Sequence, residues 1–365
     1  MKKKIVLTGG HAGSTAYSVV QALKKSTIDW DISFIGTKTA IEGKDTETFE
    51  YSVFPKIGVK FYPIVTGRVQ RRFSKWTLPS LFKIPVGILH AFKLLSAIKP
   101  DIVMSFGGFV AYPVVLVSWF YRIPVVIHEQ TTAVGRANQY SSYFASKILL
   151  ARKESSKYFK NGKAEVVGNP ISEEILKIEP NEENGNTLLI TGGSRGSVIV
   201  NELVEEVLED ILRKYYIIHQ VGADNVERYE NIKNSLPKEL RAKYRVLGFV
   251  DPRKWWEVLE SSDAVVSRAG ANSVSEFIVT KRPSLLIPIP WTYLNEQVLN
   301  AQYANKHHLA IILEQEGLQA NTLLESIDKL MTQKEGMVQR ALAERYDPDR
   351  TSHTKIVKIL EELVS

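Results

Sequence analysis

Two stretches of this chain repeat one design: "LTGGHAGS" at 7–14 and "ITGGSRGS" at 190–197 each follow a short apolar run and each lead into a helix-forming segment. An apolar run that ends on glycines and gives way to a 3.6-residue periodicity reads as a buried strand, a tight turn and a helix. A parallel strand needs crossover helices and cover on both faces, so such a unit comes with further units of its kind. Two of them, each heading its own half of the chain, predict two doubly wound α/β domains.

The rest of the pattern agrees. "KIVLTG", "DISFIGTK", "DIVMSFGG" and "IPVVIHEQ" read as strands of the first half, with "STAYSVVQALKK" as a helix. The polar "EPNEENGN" after "KAEVVGNP" breaks the composition, and the alternation restarts with "TLLITGG", a helix over 198–214, "YYIIHQVG", "RVLGFV", "DAVVSRAG" and "RPSLLIPIP". The expected first domain is 1–167, rejoined by a C-terminal helix within 347–365, "DPDRTSHTKIVKILEELVS", capped by Asp347 or Asp349. The second domain is 168–346. Ligands are expected between the carboxyl ends of the two sheets, facing across a cleft.

Composition narrows the function classes. The 365 residues suffice for two cores, and with 44% hydrophobic residues no apolar run reaches bilayer-spanning length. "MKKKIVLTGGHAG" has a basic start but too short an apolar run for a signal peptide, which predicts a cytoplasmic protein. The absence of cysteine excludes disulfides, thiolate metal sites and a cysteine nucleophile. The net charge of +7 is unevenly spread: from Tyr51 to Pro100 there is no acidic residue and there are nine basic ones. In "RVQRRFSKWTLPSLFKIPVGILHAFKLL" these alternate with large apolar groups, as on a surface that meets anionic lipid. A buried helix with solvated lysines is the alternative. Nucleic acid is disfavoured, because no RNA- or DNA-binding motif accompanies the patch.

Glycine turns that open a helix let backbone N–H groups approach an anion at the helix's positive end. Both turns therefore point to phosphate, although they also serve as plain strand-to-helix corners. The pattern is GGxxG rather than GxGxxG and the second strand ends "IGTK" without an acid, so a nicotinamide cofactor is disfavoured. In "SRAGANSVSE", Gly270 makes a turn, Asn272 and Ser273 are candidate caps, and Glu276 either accepts ribose hydroxyls or closes a capping box with Ser273. His128, Glu129 and Gln130 end a buried strand, where open sheets bind ligands; a satisfied core histidine is the other account of His128. His307 and His308 read as surface residues, and no metal motif stands out.

Taken in order, "TGGH", "SFGGFVAYP", "IPVVIHEQ", "EVVGNP", "TGGSRGS", "GFV", "SRAGANSVSE" and "NEQVLNA" closely resemble the MurG-type transferases over nearly the whole chain. The resemblance implies a GT-B fold of two Rossmann-like domains. It also implies inverting transfer of N-acetylglucosamine from UDP-N-acetylglucosamine to lipid I, a muramoyl-peptide pyrophosphoryl-undecaprenol. The reaction yields lipid II in peptidoglycan synthesis, and so serves cell-wall biogenesis, cell shape and division from the cytoplasmic face of the membrane. Ser194, Arg195 and Gly196 would hold phosphate, Phe249 and Val250 the uracil, Glu276 the ribose with Ala271 and Asn272 beside it, and Glu296 and Gln297 the sugar. Thr8, Gly9, Gly10, Thr131 and Asn169 would also bind UDP-N-acetylglucosamine, with "TGGH" and "HEQ" facing the acceptor and the donor diphosphate. His11 is the candidate base, with an imidazole that accepts a proton near neutral pH, and Glu129 competes for that role. Gly107, Gly108, Phe109 and His128 would face the acceptor, and Arg72, Lys75, Trp76 and Phe82 the membrane. No cofactor is required, and nothing in the sequence indicates a divalent cation. Other cell-wall synthesis proteins stay open as partners.

Several positions depart from the family pattern. The first loop lacks its two leading glycines, Thr131 replaces an asparagine, Glu296 replaces one of two amides, and Ser172 stands where an arginine follows "GNP". Arg195 replaces a glutamine and would supply the cation lost at position 172. Transfer to a different glycolipid acceptor or from another nucleotide sugar, and a non-catalytic scaffold in cell-wall assembly, remain alternatives.

Overall fold

The computed structural model describes residues 2–10, 12–39, 47–67, 77–159, 162–180, 185–193, 196–344 and 347–365, with the side chains of 77–82 outside that description. The chain forms two compact units, Met1–Glu173 with Pro348–Ser365, and Glu174–Asp347.

The first unit is a seven-stranded parallel sheet of β1 (Lys3–Thr8), β2 (Trp30–Gly36), β3 (Lys60–Pro63), β4 (Ile102–Ser105), β5 (Val125–Glu129), β6 (Lys147–Leu150) and β7 (Ala164–Val166), in the order β3-β2-β1-β4-β5-β6-β7. The second is a six-stranded parallel sheet of β8 (Thr187–Thr191), β9 (Tyr216–Gln220), β10 (Tyr244–Leu247), β11 (Ala264–Ser267), β12 (Ser284–Leu286) and β13 (Ala310–Ile312), ordered β10-β9-β8-β11-β12-β13. In each sheet the first strand sits where the strand order reverses, the position at which open α/β sheets take ligands. The expected α/β class with two Rossmann-like domains is what forms.

Successive residues of β1 go to opposite cores. Ile5 and Leu7 pack with Phe34, Met104 and the C-terminal helix Ser352–Val364, whereas Val6 packs with Ile35, Val103 and Val114. Strands buried on both faces read as continuous apolar runs, which is why they stand out in the sequence. The C-terminal helix gives Ile356, Leu360 and Val364 to the first core, each buried aliphatic side chain contributing ~1.5–3 kcal/mol.

The first unit ends after Glu173, later than the 167/168 boundary expected from composition. Gly168, at φ +93°, lies so close to Pro348 that an added Cβ would stand 2.3 Å from the Pro348 carbonyl oxygen. The Asn169 N–H donates to Asp349 Oδ1 at 2.8 Å, and the Glu173 N–H donates to Gln21 Oε1 at 3.2 Å. Asp349 is therefore not the helix cap that its position suggests. It receives both terminal nitrogens of the buried Arg152, at 2.7 and 2.8 Å, and the helix starts at Ser352 without a side-chain cap. Asp347, the other expected cap, lies 3.8 Å from Lys281 Nζ in the second unit. The helix expected over 198–214 is broken at Val207 into Val198–Glu206 and Leu208–Lys214. No helix among the described residues is long and apolar enough to cross a membrane.

Candidate active site

In the first unit, the turns after β1, β4 and β5 lock together. The Gly10 N–H donates to the Gly107 carbonyl at 3.0 Å. A Cβ on Gly108, at φ +86°, would stand 3.0 Å from the Gly10 nitrogen, and one on Gly107 would meet the Asn138 side chain at 2.7 Å. Both positions thus require glycine. Glu129, at the end of β5, is buried and accepts three hydrogen bonds: from the Thr131 N–H at 3.1 Å and hydroxyl at 2.8 Å on Oε1, and from Asn138 Nδ2 at 2.8 Å on Oε2. Burial pushes its carboxyl above the usual range against the pull of these donors.

His128 is 0% exposed, and its Nε2 lies 2.9 Å from the Gly168 carbonyl. A carbonyl only accepts, so Nε2 carries the proton; burial lowers the pKa to about 4 and keeps the ring neutral. Thr8 and Asn169 are equally enclosed, with the Thr8 hydroxyl bonded to the Ile35 carbonyl at 2.9 Å. These three side chains reach a ligand only through the turns they hold. Gly9 and Phe109 line a small cavity with Thr37, Thr48 and Glu50. Glu50, which sequence reasoning missed, is buried and accepts the Ala12 N–H at 3.1 Å, so it anchors the residue that follows His11. Burial raises its pKa as well. An acid inside the apolar "TFEYSVF" was the available signal. His11 itself, together with Ser194, Arg195, Arg72, Lys75 and Trp76, lies outside the described residues, as does the Phe82 side chain.

The second unit builds its turn differently. A Cβ on Gly196, at φ +75°, would stand 2.1 Å from the Val221 carbonyl oxygen, so this strand-to-helix corner admits glycine alone. The Gly193 N–H donates to Thr191 Oγ1 at 3.0 Å, and Ser197 caps the helix Val198–Glu206 through its hydroxyl. Beneath the turn lies Arg268, 8% exposed, whose Nε donates to Ser197 Oγ at 3.1 Å and whose Nη1 donates to the Ile287 carbonyl at 3.0 Å. No described carboxylate pairs with it, and burial lowers its pKa. Nothing local in "SRAG" marks this arginine, whose partners Ser197 and Ile287 lie far from it in sequence.

Helix Ala271–Val279 starts on Gly270 with no side-chain cap, so Asn272 and Ser273 do not cap it, and Ser273 and Glu276 form no capping box. The extended Gly270 ends the turn one residue too early for either. Glu276 sits in the second turn, 7% exposed, and accepts the Trp255 indole N–H on Oε2 at 2.9 Å. Burial raises its pKa to about 7 despite that donor. Phe249 is exposed and Val250 half-buried just past β10, while Ala271 and Asn272 are half-buried at the helix start. Glu296 opens helix Glu296–Lys306; Gln297 Oε1 accepts the Ile289 N–H at 3.0 Å. His307 is not a free surface residue, since its Nδ1 lies 2.5 Å from Oε2 of Glu344, the residue just past the end of helix Ala320–Ala343. Among the described residues no group of three or more His, Asp or Glu side chains converges to hold a metal ion.

A glycine turn opening a helix at each sheet's reversal point, with an arginine under the second that no described carboxylate pairs with, is the arrangement of a doubly wound α/β protein that takes a phosphate-bearing ligand. The chain matches the glycosyltransferase family 28 N-terminal domain over residues 5–150 and the glycosyltransferase family 28 C-terminal domain over residues 187–358. It is 33% identical over 355 residues to a UDP-N-acetylglucosamine--N-acetylmuramyl-(pentapeptide) pyrophosphoryl-undecaprenol N-acetylglucosamine transferase of Clostridium tetani, covering 92% of each chain. A Clostridium botulinum (strain Langeland) relative of the same name is 33% identical over 98% of this chain and 99% of its own. The crystal structure of Acinetobacter baumannii MurG aligns with a TM-score of 0.72 at 22% identity, covering 99% of each chain. The chain belongs to glycosyltransferase family 28, as a MurG-type glycosyltransferase.

Proposed function

We propose that this protein transfers N-acetylglucosamine from UDP-N-acetylglucosamine to N-acetylmuramyl-(pentapeptide) pyrophosphoryl-undecaprenol, converting lipid I to lipid II with inversion at the sugar C1. The observation that carries this is near full-length similarity to relatives named for that reaction, joined to a second unit whose polar groups suit a UDP-sugar. Uracil rests against Phe249 and Val250, the ribose hydroxyls donate to Glu276, and the diphosphate meets the turn 192–197, with Ser194, Arg195 and the N-terminus of helix Val198–Glu206. Arg268, buried under that turn, adds fixed positive charge where the departing UDP gathers negative charge. Glu296 and Gln297 face the sugar, and Thr131 the donor side of the first unit.

The acceptor hydroxyl attacks C1 as the bond from C1 to the UDP oxygen breaks, and its proton passes to His11. Glu129 already accepts three hydrogen bonds, which leaves it the task of shaping the turn after β5 and favours His11 as the base. No step calls for a cofactor or a divalent cation.

The acceptor is a lipid, so the enzyme works as a peripheral protein on the cytoplasmic face of the membrane. Helix Thr77–Ile98 and the end of helix Ala111–Phe120 expose Val86, Leu89, Trp119 and Phe120, with the basic Lys93 and Arg122 beside them. Phe92 joins the two helices through its ring, 5.3 Å from that of Phe120. Apolar side chains rimmed by lysine and arginine suit an anionic bilayer surface, each basic contact contributing ~1 kcal/mol. Arg72, Lys75 and Trp76, outside the described residues, belong to the same acid-free stretch.

Incubation with UDP-N-acetylglucosamine and a short-chain lipid I analogue tests the reading. UDP release matched by a lipid product one N-acetylhexosamine heavier is expected; donor binding without transfer to this lipid would assign another acceptor.

A further inference from the structure

We infer that Trp255 is a positioning residue for the nucleotide: its indole N–H fixes one oxygen of the Glu276 carboxyl and so reserves the other for the ribose hydroxyls. The inference rests on the reading of Glu276 as the ribose acceptor and says how that residue is aimed.

An indole nitrogen can only donate, and an ionised carboxylate can only accept, so the 2.9 Å contact from Trp255 Nε1 to Glu276 Oε2 has one sense. Glu276 is 7% exposed, and no other described residue donates to it. A carboxyl so enclosed, with one oxygen satisfied and the other without a protein donor, has unfilled hydrogen-bonding capacity directed at whatever enters the site. A ribose brings two adjacent hydroxyl donors. The terminal torsion of a glutamate is broad, so a lone carboxylate would present either oxygen over a wide range of angles. The indole N–H removes that freedom. It also favours the charged form, which accepts hydroxyls better, against the effect of burial.

The backbone around Trp255 is built to hold it still. Arg253 Nε donates to Asp251 Oδ1 at 3.0 Å, and the Lys254 N–H donates to the Asp251 carbonyl at 2.7 Å, just before the helix Trp255–Glu260 begins. This braced turn also follows directly on Phe249 and Val250. One segment thus supplies the uracil contact and, through its tryptophan, the aim of the ribose contact from a different helix.

Trp255→Phe keeps a ring in place and removes only the N–H. Calorimetry on the full-length protein would compare UDP with 2′,3′-dideoxyuridine diphosphate, which lacks both hydroxyls. Trp255→Phe is expected to weaken UDP ~10-fold and leave the dideoxy analogue unaffected, and to raise KM for UDP-N-acetylglucosamine with little change in kcat. Equal weakening of both ligands, or of neither, would overturn the inference. Glu276→Ala separates the two levels: if wild-type protein and Glu276→Ala discriminate UDP from the dideoxy analogue equally, the ribose reading itself fails. Should Trp255→Phe not fold, wild-type protein carrying 15N-tryptophan answers instead. Its Trp255 indole resonance should shift with UDP more than with the dideoxy analogue, and equal shifts would overturn the inference.

Discussion

The glycine turns of the two units share a sequence pattern and a place in their sheets, yet their surroundings are opposite. Around Gly9 and Gly10 the buried carboxylates are spent within the unit, Glu50 on the Ala12 N–H and Glu129 on Thr131 and Asn138, while the neutral His128 Nδ1 and Asn138 Oδ1 find no partner among the described residues. At Gly193 and Gly196 the backbone N–H groups are bonded to Thr191 Oγ1 and the Gly193 carbonyl, but two charged side chains of this unit keep capacity to spare. Arg268 has no described carboxylate partner, and Glu276 has an oxygen that no described residue fills. A buried charge and a half-satisfied carboxyl cost free energy in the empty protein, and an anionic ligand bearing hydroxyls relieves both costs. The same local motif thus sits in one unit beside carboxylates that the protein itself satisfies, and in the other in a unit whose buried arginine and glutamate retain capacity for the ligand proposed above.

The largest expected effect separates the units outright. Asp349→Ala leaves Arg152 buried without its partner and frees the Asn169 N–H, so the first unit should lose ~3–5 kcal/mol of stability. UDP affinity at 25 °C should stay within about twofold as long as the protein remains folded, because the second unit holds its own contacts. Chemical denaturation followed beside UDP calorimetry checks both halves of this; a matching collapse of UDP affinity would break the comparison.

Next in size is the cation at the phosphate turn. Arg195→Gln should cut turnover with UDP-N-acetylglucosamine ~10-fold or more, since the leaving diphosphate loses a guanidinium that nothing at Ser172 replaces. Steady-state rates decide it, and an unchanged kcat would refute the role.

The smallest effect is a pH dependence. With a pKa of about 7 in the free protein, Glu276 is increasingly protonated below neutrality, and a neutral carboxyl accepts ribose hydroxyls less well. Affinity for uridine, which carries no phosphate to confuse the titration, should rise with pH through 7 and level off above it, by ~10-fold per unit at most. Glu276→Gln should flatten the profile. Without ligand the sign is opposite for stability. A carboxyl whose folded pKa lies above its unfolded one binds its proton more tightly when folded, so this group's contribution is fully present below about 4.5 and lost as pH rises through about 7.

What the sequence made legible follows from how local each feature is. β1, β4, β5, β8, β9, β11 and β12 are continuous apolar runs, and the glycine turns follow them within a few residues, so both could be read directly. "KFYP", "KILL" and "AII", which are β3, β6 and β13, become strands because β2, β5 and β12 offer them parallel partners. The groups that tune the site were hidden for the same reason. Arg152 meets Asp349 across almost two hundred residues, Glu50 meets Ala12, and Trp255 meets Glu276 only once two different helices are placed. The capping signal at Asp349 misled because Arg152, distant in sequence, claims its carboxylate, and the one at Ser273 because the helix already starts at Gly270.

Hydrogen exchange of the full-length protein with and without UDP tests the central claim most directly, that the second unit is the prepared nucleotide site. Slowed exchange confined to the turn 192–197, to 249–255 and to the start of helix Ala271–Val279 is the predicted result. Protection centred instead on the turns after β1 and β4, with the second unit unchanged, would contradict it.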